Sequence, residues 1–199
     1  RVRGQVQGVG FRPFVYRLAQ ELGLSGWVRN DAHGVEIEAQ GEPAGITALL
    51  ERLRRDAPPL ARIGAIECEQ LPVADVASAD FRIEPSGRGA NRSQVAPDVA
   101  VCSACLDELF GPGDRRYRYP FINCTQCGPR YTIIRSLPYD RARTSMAAFD
   151  QCPACKREYD SPAHRRFHAE PNACPACGPR LWLCDPTGER IEVAVVLTE

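Results

Sequence analysis

Apolar residues in the first 84 positions recur with two different periods. Phe14, Val15, Leu18 and Leu22 follow the spacing of an amphipathic helix, and the segment after Gly41 repeats that spacing. The short runs between these segments are rich in β-branched and aromatic residues, which is typical of strands. The pattern predicts the order β-α-β-β-α-β followed by a short strand, over residues 1–6, 13–22, 25–29, 35–40, 43–56, 61–68 and 81–84.

This order is the ferredoxin-like arrangement, so we expect an α+β fold in which two helices cover one face of an antiparallel sheet. Pro13 suits the first position of its helix, and Gly23 ends that helix. Residues 30–34 (Asn-Asp-Ala-His-Gly) are typical of a hairpin turn between two strands. About 84 residues can bury a modest core of this type.

A change in composition divides the chain after residue 84. Residues 85–98 are rich in glycine, serine and proline, which is typical of a linker. Beyond them the sequence repeats with a period of 50 residues. Each copy contains a Cys-x2-Cys pair, an Arg-Arg pair and a Cys-x2-Cys-Gly-Pro-Arg segment, beginning at Cys102, Arg115 and Cys124 in one copy and at Cys152, Arg165 and Cys174 in the other. The shared residues predict a duplicated module, over residues 99–135 and 149–184.

Eight of the ten cysteines occur as four Cys-x2-Cys pairs. Such a turn places two sulfurs on one side of a tight knuckle, at a separation that suits a tetrahedral ion. In each copy 18 residues separate the two knuckles, so the chain can return to complete four ligands. We expect two structural Zn²⁺ ions, held by Cys102, Cys105, Cys124 and Cys127 and by Cys152, Cys155, Cys174 and Cys177. Pairing between the copies is the alternative that the spacing leaves open.

Four thiolates fill the coordination shell of a tetrahedral ion, so these sites are expected to stabilise structure rather than to activate water. Zinc is favoured over an iron–sulfur cluster because the knuckles are duplicated and followed by Gly-Pro. Metal spacing also argues against a disulfide framework and indicates a reducing, cytoplasmic location. Since four cysteines suffice, His164 and His168 are expected at the surface. Cys68 and Cys184 have no partner at knuckle spacing.

The charge balance bears on nucleic-acid binding. The chain carries 25 Lys and Arg against 25 Asp and Glu, whereas bulk nucleic-acid binding needs a basic surface. Arginines next to aromatic residues in the repeats, such as Arg116, Tyr117 and Phe167, keep nucleic-acid stacking as an alternative. The other interpretation is that the rings cap small metal-centred cores. The longest apolar runs are far shorter than a membrane span, so no membrane partner is expected.

The segment between the first strand and the first helix is a candidate anion site. Gly8 and Gly10 allow the backbone to curl so that successive N–H groups point inward beside a helix N-terminus. The Arg12 guanidinium suits a phosphoryl group because it can donate two parallel hydrogen bonds. The Lys-Ser/Thr pair of a P-loop is missing. The candidate phosphate-binding residues are Gln7, Gly8, Val9, Gly10, Phe11 and Arg12.

Residues 4–12 (Gly-x-Val-Gln-Gly-Val-x-Phe-Arg), with Gly-Trp-Val-Arg-Asn at residues 26–30, closely resemble the acylphosphatase family. The resemblance covers about 84 residues. It implies that Arg12 binds the phosphoryl oxygens and that Asn30 positions the attacking water, whereas from its position alone Asn30 is a turn residue. The carboxylate or carbamate that leaves an acyl phosphate needs no general acid, so electrostatic clamping and an aligned water are sufficient.

The two halves together resemble the amino-terminal part of the HypF family, the carbamoyltransferases of [NiFe]-hydrogenase maturation. The resemblance includes Tyr-Pro-Phe-x-Asn-Cys at residues 119–124 and Cys-Gly-Pro-Arg-Tyr-Thr-Ile at residues 127–133. It implies that the first domain acts on carbamoyl phosphate. It also implies that later domains, beyond these 199 residues, transfer the carbamoyl group to a HypE-type partner protein.

We therefore predict an acylphosphatase-type hydrolase domain over residues 1–84, a linker over 85–98, tandem zinc modules over 99–184 and the start of a further domain over 185–199. Residue 1 is expected to be a cut or disordered edge, and the apolar run over 191–197 a strand of a domain that continues. One alternative is a zinc-ribbon module that binds a protein or nucleic acid, with an inactive phosphate loop. Another is that the zinc modules are a rigid spacer between catalytic domains.

Overall fold

The computed structural model describes residues 1–31, 33–72, 80–86 and 97–191. None of its helices is long and apolar enough to cross a membrane. The elements in chain order are β1 Val2–Gln5, α1 Phe11–Glu21, β2 Ser25–Asp31, β3 Gly34–Gln40, α2 Pro43–Arg55, β4 Arg62–Ile66, β5 Phe81–Ile83, α3 Ser103–Phe110, α4 Pro153–Asp160, β6 Leu183–Cys184 and β7 Arg190–Ile191.

The first half has the predicted α+β, ferredoxin-like fold. Its five strands lie in the order β4-β1-β3-β2-β5. The pairs β1–β4, β1–β3 and β2–β3 are antiparallel, and β5 adds a parallel strand beside β2 at the edge of the sheet. The order β-α-β-β-α-β read from the sequence is therefore confirmed, with β5 as the additional strand.

Strand β2 shows how the sheet positions a polar residue on its core face. Its residues alternate between buried and partly exposed, so that Gly26, Val28 and Asn30 lie on one face and are buried. Val28 packs in the apolar core with Phe11 and Val15 of α1. Asn30 is the last residue of this row, so it lies where the core face of β2 reaches the start of α1.

Several element boundaries differ by one or two residues from the sequence prediction, and two of them concern the candidate site. Helix α1 begins at Phe11 rather than at Pro13, because the N–H groups of the first helical turn have no intrahelical partner and proline is tolerated there. Arg12 therefore belongs to the helix. Strand β2 continues through Asn30, which pairs with Val35 of β3, so the prediction that Asn30 is a turn residue was wrong.

The second half contains little regular structure. Helices α3 and α4 each begin one residue after a cysteine, Cys102 and Cys152 respectively. Most of the remaining chain forms turns and short 3₁₀ turns. A second cluster of buried residues surrounds the first group of cysteines and comprises Cys105, Tyr119, Ile122, Cys124, Cys127, Met146 and Ala173. This cluster is separate from the core under the sheet.

The two halves are in contact at the glycine loop. A Cβ atom placed on Gly8 would lie 2.7 Å from Cβ of Pro129, and one on Gly10 would lie 3.0 Å from Cβ of Thr125. The absence of side chains at residues 8 and 10 therefore allows the second half to approach this loop closely. Most of the predicted linker (residues 87–96) and most of the predicted terminal strand (residues 192–197) lie outside the described residues.

Candidate anion site and metal centres

The glycine loop has the backbone conformation that an anion nest requires. Gly8 and Gly10 have φ angles of 73° and 75°, in the left-handed region that glycine adopts without strain. Gly10 precedes α1 as its N-terminal cap residue, so the N–H groups of Phe11 and Arg12 have no intrahelical acceptor. The positive end of the helix dipole adds to these donors. The loop can therefore hold an anion at the start of α1.

Arg12 is almost fully buried and binds groups from the second half of the chain. Its Nη1 donates to Oδ1 of Asp140 at 2.9 Å, and its Nη2 donates to Oε1 of Glu170 at 2.8 Å. The Tyr139 carbonyl oxygen lies 3.4 Å from the same Nη2. Burial alone would lower the pKa of Arg12, but the charges of Glu170 and Asp140 raise it overall. The guanidinium is therefore held as a cation between two carboxylates.

Asn30 lies beside the Arg12 guanidinium. We assign the amide with its oxygen toward Arg12, since a guanidinium has only donors. In this orientation Oδ1 accepts from Nε at 3.2 Å and from Nη2 at 3.3 Å. The opposite orientation would give a 3.3 Å bond from Nδ2 to the Tyr139 carbonyl, but it would turn the NH₂ group toward the N–H groups of Arg12. The fold thus brings together the two residues predicted to be catalytic.

The other predicted phosphate-binding residues can contribute only through the backbone. The Gln7 side chain is buried; its Nε2 donates to the carbonyl oxygens of Asp31 and Gly34, each at 2.8 Å. Its Oε1 accepts from the Tyr139 N–H at 3.2 Å. The side chains of Val9 and Phe11 pack in the apolar core. Any anion in this loop would therefore be bound by N–H groups and by Arg12.

A cavity of about 20 Å³ lies between the loop and the second half, a space that suits roughly one water molecule. Its walls include Arg12 and Asn30 from the first half and Asn123, His168 and Glu170 from the second. No residue of the second half was predicted at this site from the sequence. Separations of 128 residues (Arg12 to Asp140) and 158 residues (Arg12 to Glu170) leave no local pattern that could reveal such contacts.

The two histidines that were expected at the surface are both partly exposed, and His168 is the more enclosed of the two. His168 packs against the rings of Tyr159 and Phe167, with centroid distances of 5.0 Å and 4.7 Å. Burial, and to a lesser extent the charge of Arg12, lowers the pKa of His168 to about 4. Nδ1 of His164 accepts from the backbone N–H of Arg166 at 3.1 Å. Neither histidine belongs to the groups of cysteines.

The eight predicted ligand cysteines form two groups, each within one module. Neighbouring sulfurs in the first group are 3.6–3.8 Å apart, and those in the second group are also 3.6–3.8 Å apart. A tetrahedral ion with metal–sulfur bonds of about 2.3 Å would require about 3.8 Å between sulfurs. The spacing therefore suits a tetrahedral metal ion in each module. Of the two arrangements considered from the sequence, the structure has the one within modules.

Arginines of each module bind the cysteine group of the other. Arg115 Nη2 lies 3.2 Å from the Cys155 sulfur, and Arg165 Nη1 lies 2.9 Å from the Cys105 sulfur. The next arginines show the same exchange, because Arg116 Nε donates to the Ala173 carbonyl and Arg166 Nε to the Asn123 carbonyl, each at 2.9 Å. Each contact corresponds to its counterpart under the 50-residue repeat. The two modules therefore contact each other through equivalent residues in both directions.

Two glutamates also take part in these contacts between the modules. Glu158 accepts from Arg115 and Arg116, and Glu108 accepts from Arg165 and Arg166. Burial alone would raise the pKa of Glu158, but the Arg116 and Arg115 guanidiniums lower it to about 2. These four arginines therefore contact sulfurs, carbonyls and carboxylates of the opposite module. Arg116 and Arg166 are buried, whereas Arg165 is partly exposed and Arg115 is exposed.

Comparison with known proteins follows the same division into two halves. Residues 1–83 match the acylphosphatase family model, and residues 101–134 and 152–184 match the model described as the HypF finger. An acylphosphatase from Methylococcus capsulatus is 47% identical over 73 residues, which are 36% of this chain and 78% of that protein.

Longer relatives match both halves at once. The carbamoyltransferase HypF2 of Cupriavidus necator is 63% identical over 153 residues, which are 76% of this chain and 19% of that protein. A crystal structure of full-length HypF in the phosphate- and nucleotide-bound form has a TM-score of 0.85 at 46% identity, over 92% of this chain and 24% of that one. The chain thus spans about a fifth of the length of the HypF2 relative. The chain belongs to the acylphosphatase family over residues 1–83 and, with its two HypF fingers, corresponds to the amino-terminal part of the HypF carbamoyltransferases.

Proposed function

We propose that residues 1–84 hydrolyse acyl phosphates, with carbamoyl phosphate as the physiological substrate, as the first step of carbamoyl transfer in [NiFe]-hydrogenase maturation. The observation that carries this proposal is the position of Arg12 in the first turn of α1, with its guanidinium 3.2 Å from the Asn30 amide oxygen. Arg12 and the glycine loop together provide the proposed anion-binding site, and the neighbouring Asn30 side chain can orient water.

The proposed reaction needs no general acid. A water molecule attacks the phosphorus atom, the bond from phosphorus to the acyl oxygen breaks, and carbamate leaves as an anion while inorganic phosphate forms. Arg12 and the N–H groups of the loop offset the negative charge on the phosphoryl oxygens, and this stabilisation is the main contribution expected of the protein. Asn30 holds the water in line with the bond that breaks.

We propose that the two groups of cysteines hold two structural Zn²⁺ ions. Four thiolates complete each coordination shell, so the ions would stabilise the fingers and take no part in hydrolysis. The complete protein would act in a reducing cytoplasm, and its further domains would pass the carbamoyl group to a HypE-type partner. The chain described here covers about a fifth of the HypF2 relative, so these later steps need residues beyond it.

The test is release of inorganic phosphate from carbamoyl phosphate and from acetyl phosphate by the full 199-residue chain with metal bound. Substituting Arg12→Ala should reduce kcat/KM by roughly 10³-fold or more, because the electrostatic donor is lost. Arg12→Lys should recover only part of the activity, since an ammonium cannot donate two parallel hydrogen bonds. Arg29→Ala, which removes an arginine on the opposite face of β2, is the matched control and should retain full activity.

Asn30→Ala separates the two assigned roles. The anion site stays intact in this variant, so competitive inhibition by inorganic phosphate should persist while kcat falls sharply. Equal loss of phosphate binding in the Asn30 and Arg12 variants would assign Asn30 to the anion site instead. Full activity of a folded Arg12→Ala variant would refute hydrolysis at this site. It would favour the alternative of a finger module that binds a protein or nucleic acid beside an inactive loop.

A further inference from the structure

Two carboxylates, Asp140 and Glu170, bind Arg12, and their surroundings differ. Both belong to the second half of the chain, residues 97–191, which contains the two fingers and is called the finger half below. Glu170 is 3% exposed, and besides Arg12 it accepts from the Arg141 N–H at 2.9 Å and from the Tyr159 hydroxyl at 3.0 Å. Asp140 is 23% exposed, and within the described part of the chain its carboxylate accepts from Arg12 alone. One carboxylate is therefore fixed by three donors, and the other is held by one.

The two carboxylates also bind different nitrogens of the guanidinium. Glu170 binds Nη2, which is the nitrogen that also faces Asn30, whereas Asp140 binds Nη1. A cavity of about 20 Å³ is lined by Arg12, Asn30 and Glu170, and its volume suits about one water but not a phosphoryl group. An anion can reach the guanidinium only if one of its present partners moves away. Asp140 has fewer bonds to lose and access to solvent.

We propose that Glu170 is a positioning residue that holds Arg12 for catalysis, and that Asp140 is the carboxylate that the phosphoryl group of the substrate replaces. This inference rests on the proposed function, since it assigns a role to finger residues at the same site. It implies that the acyl phosphate site is completed by the second finger and by the segment between the fingers.

The replacement of Asp140 by the phosphoryl group has a simple electrostatic basis. While both carboxylates bind Arg12, the guanidinium charge is already neutralised and an arriving anion meets a like charge. Departure of Asp140 frees Nη1 for a phosphoryl oxygen, and Glu170 keeps Nη2 and therefore the plane of the guanidinium in place. A guanidinium fixed in this way loses little rotamer entropy when the substrate binds, and its position relative to Asn30 is maintained.

The experiment uses the full chain with metal bound and compares Asp140→Asn with Glu170→Gln. Asp160→Asn and Glu36→Gln are matched controls, because both side chains are at least partly exposed and neither lines the cavity. Steady-state hydrolysis of acetyl phosphate gives kcat, KM and the inhibition constant of inorganic phosphate. Titration calorimetry with inorganic phosphate measures anion binding independently of turnover. Metal content and thermal unfolding establish that each variant is folded.

We expect Asp140→Asn to tighten phosphate binding several-fold with kcat nearly unchanged, because the competing charge is gone. We expect Glu170→Gln to lower kcat about tenfold or more without weakening phosphate binding, because the guanidinium is then held less firmly. Tyr159→Phe removes one of the donors that fix Glu170 and should lower kcat by a smaller factor. This variant keeps the assignment of Glu170 testable if Glu170→Gln does not fold.

Some results would overturn the proposal. Unchanged phosphate binding in Asp140→Asn would show that Asp140 does not compete with the anion. Unchanged kcat in folded Glu170→Gln, or in Tyr159→Phe if that is the variant that folds, would show that Glu170 has no positioning role. If the unmodified chain binds phosphate but hydrolyses nothing, the proposed function fails. Tighter binding in Asp140→Asn would then still support the exchange of Asp140. Active but indistinguishable variants would overturn this inference alone.

Discussion

The arginine–carboxylate pairs that form within each half of the chain differ in burial. In the acylphosphatase half, ion pairs such as Arg29–Glu36 and Arg52–Asp56 lie at the surface, with about a third of each side chain exposed. In the finger half, the Arg116 side chain is 2% exposed in its pair with Glu158. The first half has an apolar core, whereas in the second half guanidinium groups form part of the core.

This difference follows from what each half has available to bury. The sheet and its helices remove a contiguous apolar cluster from water, and such burial stabilises by about 25 cal/mol per Å². The fingers bury few large apolar side chains, and their centres are groups of thiolates. A Zn²⁺ ion with four thiolates would carry a net charge of −2, so nearby arginines such as Arg115 and Arg165 offset a charge that burial would otherwise oppose.

From this difference between the halves, we expect the largest effect on folding when the metal is removed. We expect about two zinc ions per chain by elemental analysis. Exhaustive chelation should unfold the finger half, because structural zinc contributes roughly 10 kcal/mol or more to the folding of such small modules. The sheet should remain folded, since its core includes no finger residue. Hydrogen exchange of the amides of β1–β4, compared with those of α3 and α4, measures the two responses separately.

Cys124→Ser provides a version of this experiment that does not depend on a chelator. It removes one ligand from the first group, and Cys68→Ser is the control because Cys68 is exposed and belongs to neither group. A metal content near zero in unmodified protein purified with intact thiols would contradict the zinc assignment. Equal protection of both halves after chelation would contradict the difference in what stabilises them.

The next effect concerns the buried arginines that link the fingers. Arg116→Met keeps the length of the side chain but leaves Glu158 and the Ala173 carbonyl without this donor. Removing one partner of a buried ion pair destabilises by about 3–5 kcal/mol, so the finger transition in urea should shift by that amount. Arg166→Met should behave alike, because its partners are equivalent under the repeat. A shift below about 1 kcal/mol in both variants would mean that these arginine contacts between the modules contribute little to the stability of the finger half.

The same contrast explains what the sequence could predict. The order of elements in the first half follows from local periodicity, and the cysteine groups follow from local spacing. The reciprocal arginines were visible only as a repeated Arg-Arg pair, with no indication of what they bind. The contacts of Arg12 with Asp140 and Glu170 join residues far apart in sequence, and only the fold brings them together.

Errors at the candidate site have a related cause. Asn30 was assigned to a turn because its residue type favours turns, whereas its ladder partner Val35 keeps it in β2. His168 was expected at the surface, and its contacts with the rings of Tyr159 and Phe167 were not predicted. Both residues are held by neighbours that residue type and periodicity do not identify.

A smaller effect is expected at acid pH, from His168. Its pKa is about 4 in the folded protein, below the usual 6.5, and burial is the main cause. The unfolded chain therefore binds more protons between pH 6.5 and 4, so stability should fall as the pH decreases through that range, by up to about 3 kcal/mol. His168→Asn suits the φ of 52° at this position and should remove this part of the pH dependence. A pH series of urea midpoints for both proteins measures it.

The smallest effect is expected for the surface pairs of the first half, and it completes the comparison. Arg29 Nη2 lies 2.7 Å from Oε2 of Glu36, but both side chains are partly exposed, so solvent and salt screen the attraction. A double-mutant cycle with Arg29→Gln and Glu36→Gln should give a coupling of about 0.2–1 kcal/mol that weakens as salt is raised. The corresponding cycle for Arg116 and Glu158 should give a larger coupling that responds little to salt, because Arg116 is buried. Similar values and similar salt dependence in the two cycles would contradict the distinction between surface and core charges. A difference of several-fold would place the guanidinium–carboxylate pairs of the fingers among the interactions that fold the second half.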